Sequence, residues 1–227
     1  MAVKRKDAVQ GLLSLFDRPR YLEIGVNRGE TFHDVIAHEK VAVDPKFLFD
    51  VDRARTTVQG ATYHEVTSDE YFGSIVRPEE RFDVIYLDGL HTSEQTLRDF
   101  MSAILFLRED GVILIDDVRP PTYVASLPNR KNFFKVRQFL GSDKKSWMGD
   151  VYRLVYFIET FAQQFAYRII ADNHGQAVIW RKPRKIVPHR TISDVGCKTF
   201  EDMVIEEDTF PRMPFGEIVA LIKQDRQ

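Results

Sequence analysis

Short apolar runs alternate with stretches of helical periodicity along the chain, and this alternation predicts an α/β protein. Five runs rich in Val, Ile, Leu or aromatic residues predict strands: RYLEI (20–24), KVAVD (40–44), ATYHEV (61–66), FDVIYLD (82–88) and GVILIDD (111–117). Strands that are separated by helices pair in parallel through right-handed crossovers. The pattern therefore predicts a doubly wound, Rossmann-like sheet.

Three stretches show the spacing of amphipathic helices. A leading helix is predicted before the first strand, and two more between strands, from these apolar positions: Val9, Leu12, Leu13 and Phe16; Phe32, Val35 and Ile36; Leu97, Met101, Ile104 and Leu105. Each set of apolar side chains is expected to mark the face that packs on the domain.

The pattern changes after Asp117. Residues 118–132 contain three prolines and predict a loop, which we interpret as a lid. A long amphipathic helix is predicted within 149–165. Two further strands, 165–172 and 175–182, are joined by the turn sequence NHG and predict an antiparallel hairpin. The expected sheet is thus seven-stranded, mostly parallel, with a C-terminal antiparallel hairpin.

The 227 residues are interpreted as one domain with a leading helix (1–18), a Rossmann-like core (19–182) and a C-terminal extension (183–227). The basic run RKPRK at 181–185 is either a phosphate-binding patch or a solvated strand end. Apolar residues around Phe210, Met213 and Phe215 are expected to pack on the domain, with a homo-oligomer left open.

Composition excludes several classes of function. The chain has 32 basic and 34 acidic residues, a net charge of −2, so bulk charge does not indicate a nucleic-acid partner. Its one cysteine, Cys197, cannot form an internal disulfide, which suits a reducing compartment. No apolar run is long enough for a membrane span, and the N-terminus lacks an apolar signal core. These features predict a soluble, cytoplasmic protein.

A glycine turn follows the first predicted strand in YLEIGVNRGETF, residues 21–32. Glycine lets the backbone approach a ligand closely, and ligands of such sheets bind beyond the carboxyl ends of the strands. Asp44 ends the next strand, 44 − 25 = 19 residues after Gly25, where an acid can accept hydrogen bonds from a ribose. The spacing fits a nicotinamide or a nucleoside cofactor. The absence of a full G-x-G-x-x-G pattern, and the acid Glu23, favour the nucleoside.

These residues resemble motif I of class I S-adenosylmethionine-dependent methyltransferases, with Asn27 where a middle glycine often stands. The resemblance covers about residues 18–182. It implies S-adenosylmethionine as cofactor, with Asp44 on the ribose and Ser68 and Asp69 beside the adenine. The resemblance implies that Glu23, Gly25 and Gly29 face the methionine part of the cofactor. The other residues implied to bind the cofactor are Asn27, Thr31 and Asp88. Helix capping is the alternative role for Ser68.

Three acids lie at strand ends in YLDGLHTSEQTLRDF and GVILIDDV: Asp88, Asp116 and Asp117. Neighbouring parallel strands would bring them to one edge, provided that the chain turns after Asp116, because side chains alternate along a strand. Clustered buried carboxylates need a positive partner, and a divalent cation such as Mg²⁺ takes oxygen ligands. The alternative is that Asp88 caps a helix and Asp117 opens a turn.

This arrangement resembles metal-dependent O-methyltransferases of the catechol type and of the sugar type found in macrolide tailoring. The resemblance implies a metal on Asp88, Asp116 and Asp117 that binds the hydroxyl of a small-molecule or glycan acceptor. His91 follows Asp88 and is a candidate general base. The catalytic residues are thus expected to be His91, Asp88 and Asp117.

Other residues and activities remain open at this point. Asp150 is a candidate helix N-cap or pocket residue, and Trp147 and Tyr152 are candidate pocket walls or core residues. The rival activities are a metal-free N- or O-methyltransferase, a non-catalytic module that binds S-adenosylmethionine, and a nicotinamide oxidoreductase.

Overall fold

The structure, a computed structural model that describes residues 2–226, is built on one eight-stranded sheet. The strands are β1 (Arg20–Ile24), β2 (Glu39–Val43), β3 (Ala61–His64), β4 (Phe82–Leu87), β5 (Leu107–Ile115), β6 (Phe165–Ile170), β7 (Ala177–Arg181) and β8 (Arg212–Met213). Their spatial order is β3-β2-β1-β4-β5-β7-β6-β8. The reversal of order beside β1 is the switch point at which such sheets bind ligands.

Ten helical segments connect or flank these strands. They are α1 (Arg5–Leu13), α2 (Glu30–Asp34), α3 (Val51–Thr57), α4 (Ser68–Glu70), α5 (Ser93–Phe106), α6 (Arg130–Phe139), α7 (Tyr152–Phe161), α8 (Ile192–Gly196), α9 (Phe200–Ile205) and α10 (Phe215–Asp225). A π-helical turn follows α4, and a short 3₁₀ turn precedes β8. Within residues 2–226, every helix is too short or too polar to cross a membrane.

The predicted fold class is confirmed, and the predicted strand number is wrong by one. β1 to β5 run parallel, and β7 is antiparallel to both β5 and β6. The additional strand, β8, comes from the C-terminal extension and pairs in parallel with β6 through Ile169–Arg212 and Ile170–Met213. Two residues are too few to show a strand periodicity, so only the pairing identifies them.

Each face of the sheet carries its own core, because side chains alternate along the strands. Leu22 and Leu87 pack with α5 and α7 on one face. Tyr21 and Tyr86 pack with α1, α2 and α10 on the other. The central strands are buried on both faces, which is typical of parallel sheets covered by helices. The carboxyl ends of β1, β2, β4 and β5 therefore meet at one edge.

The predicted helix after β4 is present as α5, but two of the four residues that marked its buried face are exposed. Met101 is 49% exposed and Leu105 is 70% exposed, whereas Phe100 and Ala103 are fully buried. The buried face of α5 also contains the polar residues Thr96 and Asp99. A prediction from apolar residues alone therefore assigned the wrong face of the helix. Similarly, Ile36 lies beyond the end of α2 and is 78% exposed.

The C-terminal extension packs on the rest of the chain. Ile218 and Ile222 of α10 are fully buried in the same core as Leu12 of α1. Phe210 is buried in the core of the opposite face. Trp180 in β7 donates a hydrogen bond of 2.9 Å from Nε1 to the Asp225 carboxylate. The extension thus completes both cores and the sheet.

The basic run at 181–185 stabilises the fold locally. Arg184 donates hydrogen bonds to the backbone carbonyls of Ile158 (2.7 Å) and Glu159 (3.0 Å) near the C-terminal end of α7. Lys182 pairs with Asp225 at 3.0 Å. A cation at a helix C-terminus also interacts favourably with the helix dipole. Arg184 and Lys182 are thus engaged within the protein.

We expect Ile222→Ala to lower the free energy of unfolding by roughly 2–5 kcal/mol, because it opens a cavity beneath α10. Leu105→Ala removes a similar apolar volume from an exposed position and is expected to change it by less than about 0.5 kcal/mol. Urea denaturation of both variants makes the comparison. Equal effects would mean that the extension does not pack on the domain as described.

Candidate active site

A cavity of about 570 Å³ opens at the carboxyl edge of the sheet. Loops that follow β1, β2, β3 and β4 form one side of it, and residues of α6 and of the segment before α7 form another. Of the residues implied to contact the cofactor, six line the cavity: Gly25, Asn27, Asp44, Ser68, Asp69 and Asp88. His91 and Trp147 line it as well. Six of the nine residues implied to contact the cofactor thus lie on the side of the cavity that the loops after β1 to β4 form.

The turn after β1 is held tightly against the loop after β4. Gly25 has a φ of +88°, and a Cβ there would lie 2.0 Å from the carbonyl oxygen of Asp88. Only glycine meets both conditions. Asn27 also has a left-handed backbone, with a φ of +51°, and its N–H donates a 2.8 Å hydrogen bond to Asp44. The turn and the Asp44 carboxylate therefore hold each other in place.

The remaining three residues assigned to the cofactor, Glu23, Gly29 and Thr31, do not line this cavity. Glu23 is 2% exposed and accepts a 2.6 Å hydrogen bond from the Tyr21 hydroxyl on the same face of β1. Burial raises the pKa of Glu23 to about 8, although the Tyr21 hydrogen bond and the charge of Lys40 oppose the change. The acid expected beside the methionine part of the cofactor is thus buried, and its pKa is raised.

Ser68 and Asp69 lie on the cavity wall beside α5. The side-chain amide of Gln95 donates to Ser68 Oγ at 3.3 Å and to Asp69 Oδ1 at 3.0 Å. The N-cap of α4 is Thr67, which accepts from the N–H of Glu70 at 3.2 Å. The alternative role of Ser68 as a helix N-cap is therefore wrong.

The structure brings the three acids Asp88, Asp116 and Asp117 together. The turn that their convergence requires lies at Asp117, whose φ is +59°. The side chains of Asp116 and Asp117 are almost completely buried, while that of Asp88 is 21% exposed. Asp88 does not cap α5, because Thr92 takes that position and accepts from the N–H of Gln95.

Arg5 of α1 supplies the positive partner that the acids need. Its guanidinium directly contacts Asp116, lies 3.6 Å from Asp117 Oδ1 and lies 4.0 Å from Asp88 Oδ2. The sequence predicts a divalent cation in this place and gives no indication of the arginine. Arg5 and Asp116 are 111 residues apart, and no local pattern connects them.

Asp116 is the best-neutralised of the three acids. It lies 2.6 Å from His174 Nε2, in the hairpin turn, and accepts a 2.7 Å hydrogen bond from the Tyr86 hydroxyl. Burial tends to raise the pKa of Asp116, but the contacts with His174 and Arg5 outweigh it and hold the pKa below its usual range. Burial and the charges of Asp116 and Asp117 raise the pKa of Asp88.

His91 and Asp117 form a close pair beside the cavity. His91 Nδ1 directly contacts Asp117 Oδ2, and within residues 2–226 the other ring nitrogen, Nε2, has no hydrogen-bond partner. Burial raises the pKa of Asp117, although contact with His91 opposes the change. The Trp147 ring lies 4.9 Å from the imidazole. An imidazole oriented by a carboxylate is suited to accept a proton at its free nitrogen.

Neighbouring residues fix the backbone around His91. Gly149 has a φ of +61°, and a Cβ there would lie 1.6 Å from the His91 carbonyl oxygen. Asp150 accepts hydrogen bonds from the Ser93 N–H (2.8 Å) and hydroxyl (2.9 Å), which ties the start of α5 to the segment before α7. Asp150 is therefore not the N-cap of α7, a position held by Val151.

Two groups of side chains bring metal-binding atoms within 4.8 Å of one another. One consists of Asp88, His91 and Asp117, and the other of Asp116, Asp117 and His174. The three acids assigned to a metal are thus divided between two groups, each of which includes a histidine. Arg5 contacts or approaches the carboxylates of both groups.

The predicted lid is partly a helix. Residues 118–129 form turns and loop, and α6 begins at Arg130. Arg130, Phe134 and Trp147 line the cavity, whereas Tyr152 belongs to the core. Trp147 is anchored by a 2.7 Å hydrogen bond from Nε1 to the Leu127 carbonyl. No element was predicted for residues 133–148, so α6 was not expected as a wall of the cavity.

Comparisons with known proteins agree with this architecture. Residues 22–118 match the model of a methyltransferase domain family. A candidate caffeoyl-CoA O-methyltransferase from Staphylococcus aureus is 15% identical, with a TM-score of 0.53 over 80% of this chain and 86% of that one. A candidate O-methyltransferase from Klebsiella pneumoniae is 15% identical, with a TM-score of 0.51 over 80% and 81%.

An O-methyltransferase from Bacillus cereus, solved in complex with SAH, is also 15% identical, with a TM-score of 0.50 over 77% of this chain and 76% of that one. Comparison with curated proteins gave no match. The predicted resemblance to class I S-adenosylmethionine-dependent methyltransferases, and to O-methyltransferases among them, is confirmed. Residues 22–118 are similar to a methyltransferase domain, and the Rossmann-like fold of the chain resembles that of the O-methyltransferases to which it was compared.

Proposed function

We propose that this protein transfers a methyl group from S-adenosylmethionine to a hydroxyl group of a small-molecule or glycan acceptor, such as a sugar or natural product. The observation that carries the proposal is the His91–Asp117 pair at the border of the cavity that the glycine turn opens. A cavity of about 570 Å³ suits a nucleoside-sized ligand.

The cofactor would occupy the wall formed by the turn after β1 and the loops after β2 to β4. Asp44 has carboxylate oxygens suited to ribose hydroxyls, and Ser68 and Asp69 offer polar atoms for the adenine. Gly25 lines the cavity, and its backbone would lie beside the methionine part. Asp88 borders the same wall and would lie toward the acceptor.

The cofactor supplies an activated methyl group on a sulfonium, so the protein has mainly to align an acceptor oxygen and remove its proton. His91 Nε2 would take the hydroxyl proton, and Asp117 would hold the ring in the tautomer that leaves Nε2 free. Asp117 would also stabilise the imidazolium that forms. The rings of Trp147 and Phe134 would exclude water from the acceptor side.

A divalent cation, Mg²⁺ or another dication, is part of the proposal. Asp88, Asp116 and Asp117 offer the carboxylate oxygens that would hold it, and His91 and His174 lie within ligand distance of two of the acids. Such a cation would polarise an acceptor hydroxyl. It would compete with Arg5, which contacts the same carboxylates.

The contacts of Arg5 favour a second candidate function, a metal-free N- or O-methyltransferase. In that case the guanidinium neutralises the acids permanently, and His91 with Asp117 performs the proton transfer alone. The two candidates share the cofactor and the fold, and differ in whether a dication replaces Arg5.

We expect Gly25→Ala to abolish binding of S-adenosylmethionine measured by calorimetry, because the added Cβ would collide with the Asp88 backbone. Gly73→Ala is the matched control, since a Cβ at Gly73 meets no atom within 4 Å. It should bind like the unchanged protein. Normal binding by folded Gly25→Ala protein would contradict the placement of the cofactor.

We expect His91→Gln to lower kcat about 10²- to 10⁴-fold, which is the typical contribution of a general base, while binding of S-adenosylmethionine persists. Formation of S-adenosylhomocysteine with a panel of hydroxyl-bearing acceptors gives the rate. His189→Gln, at an exposed position far along the chain, should leave the rate unchanged. A fully active His91→Gln variant would remove the proposed base.

We expect Arg5→Gln to destabilise the protein by roughly 1–3 kcal/mol in EDTA, because buried carboxylates lose their partner while Arg5 itself is partly exposed. Millimolar Mg²⁺ should then raise the Tm of Arg5→Gln more than that of the unchanged protein. Lys6→Gln, which breaks the surface pair with Asp34, is the control. Equal Mg²⁺ responses in all three proteins would argue for the metal-free candidate.

A further inference from the structure

The segment 128–147, which contains α6 and follows the loop of the lid, is strongly basic in a chain whose net charge is −2. It has a single acid, Asp143. Its six basic residues are Arg130, Lys131, Lys135, Arg137, Lys144 and Lys145. A local excess of one charge in an otherwise balanced protein indicates a surface that meets the opposite charge.

This positive charge is not neutralised within the protein. Many basic residues elsewhere form ion pairs with carboxylates, as Arg5, Arg20 and Arg190 do. In the part of the chain that the structure describes, none of the six basic residues of segment 128–147 forms such a pair. Arg137 donates to the backbone carbonyl of Ser142 at 3.1 Å, and the segment remains cationic.

Two of the six residues, Arg130 and Lys145, line the cavity. The Arg130 guanidinium lies 5.7 Å from the Phe134 ring centre and 5.6 Å from that of Trp147. Aromatic faces attract a guanidinium and restrict its orientation. Trp147 is itself anchored to the backbone of Leu127, so one of the two rings that contact the guanidinium has a fixed position.

The cavity is therefore divided by charge. Asp44, Asp69 and Asp88 line it on the side of the strand ends, where we place the cofactor. Arg130 and Lys145 line it on the opposite side, which segment 128–147 forms. Trp147 of the same segment contacts His91, with 4.9 Å between the ring centres. A ligand that reaches the proposed base thus also meets two cations and two aromatic rings.

We propose that the acceptor carries an oxyanion, a phosphate or a carboxylate, which Arg130 and Lys145 bind while Phe134 and Trp147 pack against its apolar part. This inference rests on the function proposed above, because it places the acceptor beside His91. The planar guanidinium can bind two oxygens of one anionic group, and Lys145 adds a point charge. Arg130 and Lys145 then determine which hydroxyl compounds the protein accepts.

The test compares two double variants of equal charge, Arg130→Gln/Lys145→Gln and Lys131→Gln/Lys135→Gln. Lys131 and Lys135 are exposed residues of the same segment that do not line the cavity. All four positions are exposed, so both variants should retain the fold, which circular dichroism and Tm verify. Pyrophosphate and malonate serve as probes for the phosphate and the carboxylate, at constant ionic strength, with tryptophan fluorescence as the readout.

We expect saturable binding of at least one probe to the unchanged protein and to Lys131→Gln/Lys135→Gln. Binding to Arg130→Gln/Lys145→Gln should be at least about tenfold weaker, because charge-assisted hydrogen bonds are lost. The stronger probe identifies the class of anion. Absence of saturable binding, or equal weakening in both double variants, would overturn the inference; equal weakening would instead indicate a diffuse surface for nucleic acid or an anionic membrane.

A second readout separates this inference from the proposed function. Formation of S-adenosylhomocysteine is measured with pairs of acceptors that differ only in a phosphate or carboxylate group. The unchanged protein should prefer the anionic member, and Arg130→Gln/Lys145→Gln should raise KM for that member about tenfold with little change in kcat. If the protein binds S-adenosylmethionine but does not prefer the anionic acceptor, this inference is overturned and the proposed function is not. If it shows neither cofactor binding nor the preference, the proposed function is overturned.

Discussion

The neutralisation of three clustered carboxylates at the carboxyl edge of the sheet, two of them buried, is the constraint on which the site depends. Asp88, Asp116 and Asp117 converge because β4 and β5 are parallel neighbours and the chain turns at Asp117. Uncompensated, such a cluster would be too costly to bury. Arg5 from α1, far away in sequence, provides the compensating charge. His174 contacts Asp116, and His91 contacts Asp117. The leading helix is therefore part of the site.

This distribution of charge orients the chemistry proposed for the cavity. Asp116 is held ionised by Arg5 and His174, which leaves Asp117 to contact His91 and Asp88 to face the cavity. Segment 128–147 adds cations that form no ion pair within the described residues, and one of them, Arg130, lies beside the Trp147 ring that contacts His91. In the proposed reaction, the acidic side of the cavity would bind the cofactor and the basic, aromatic side would bind the acceptor.

Some interpretations of the sequence were wrong for identifiable physical reasons. Glu23 was expected to face a ligand, but alternation along β1 directs it to the same side as Tyr21, where it is buried. The face of α5 was misplaced because buried Thr96 and Asp99 lie in a stripe that apolar residues were assumed to mark. α6 was not predicted, since most of it lies in residues 133–148, to which no element was assigned, and the two-residue strand β8 is defined only by its pairing with β6.

The sequence by itself determined the α/β class, five parallel strands and a hairpin, the glycine turn and the strand-end acids, because each depends on local periodicity or on a residue's backbone preference. Only the tertiary structure decided what meets those residues. Arg5 contacts Asp116, which is 111 residues away in sequence, and Asp117 contacts His91 in the loop after β4. Such contacts follow from the order of strands in the sheet, and no short stretch of sequence encodes that order.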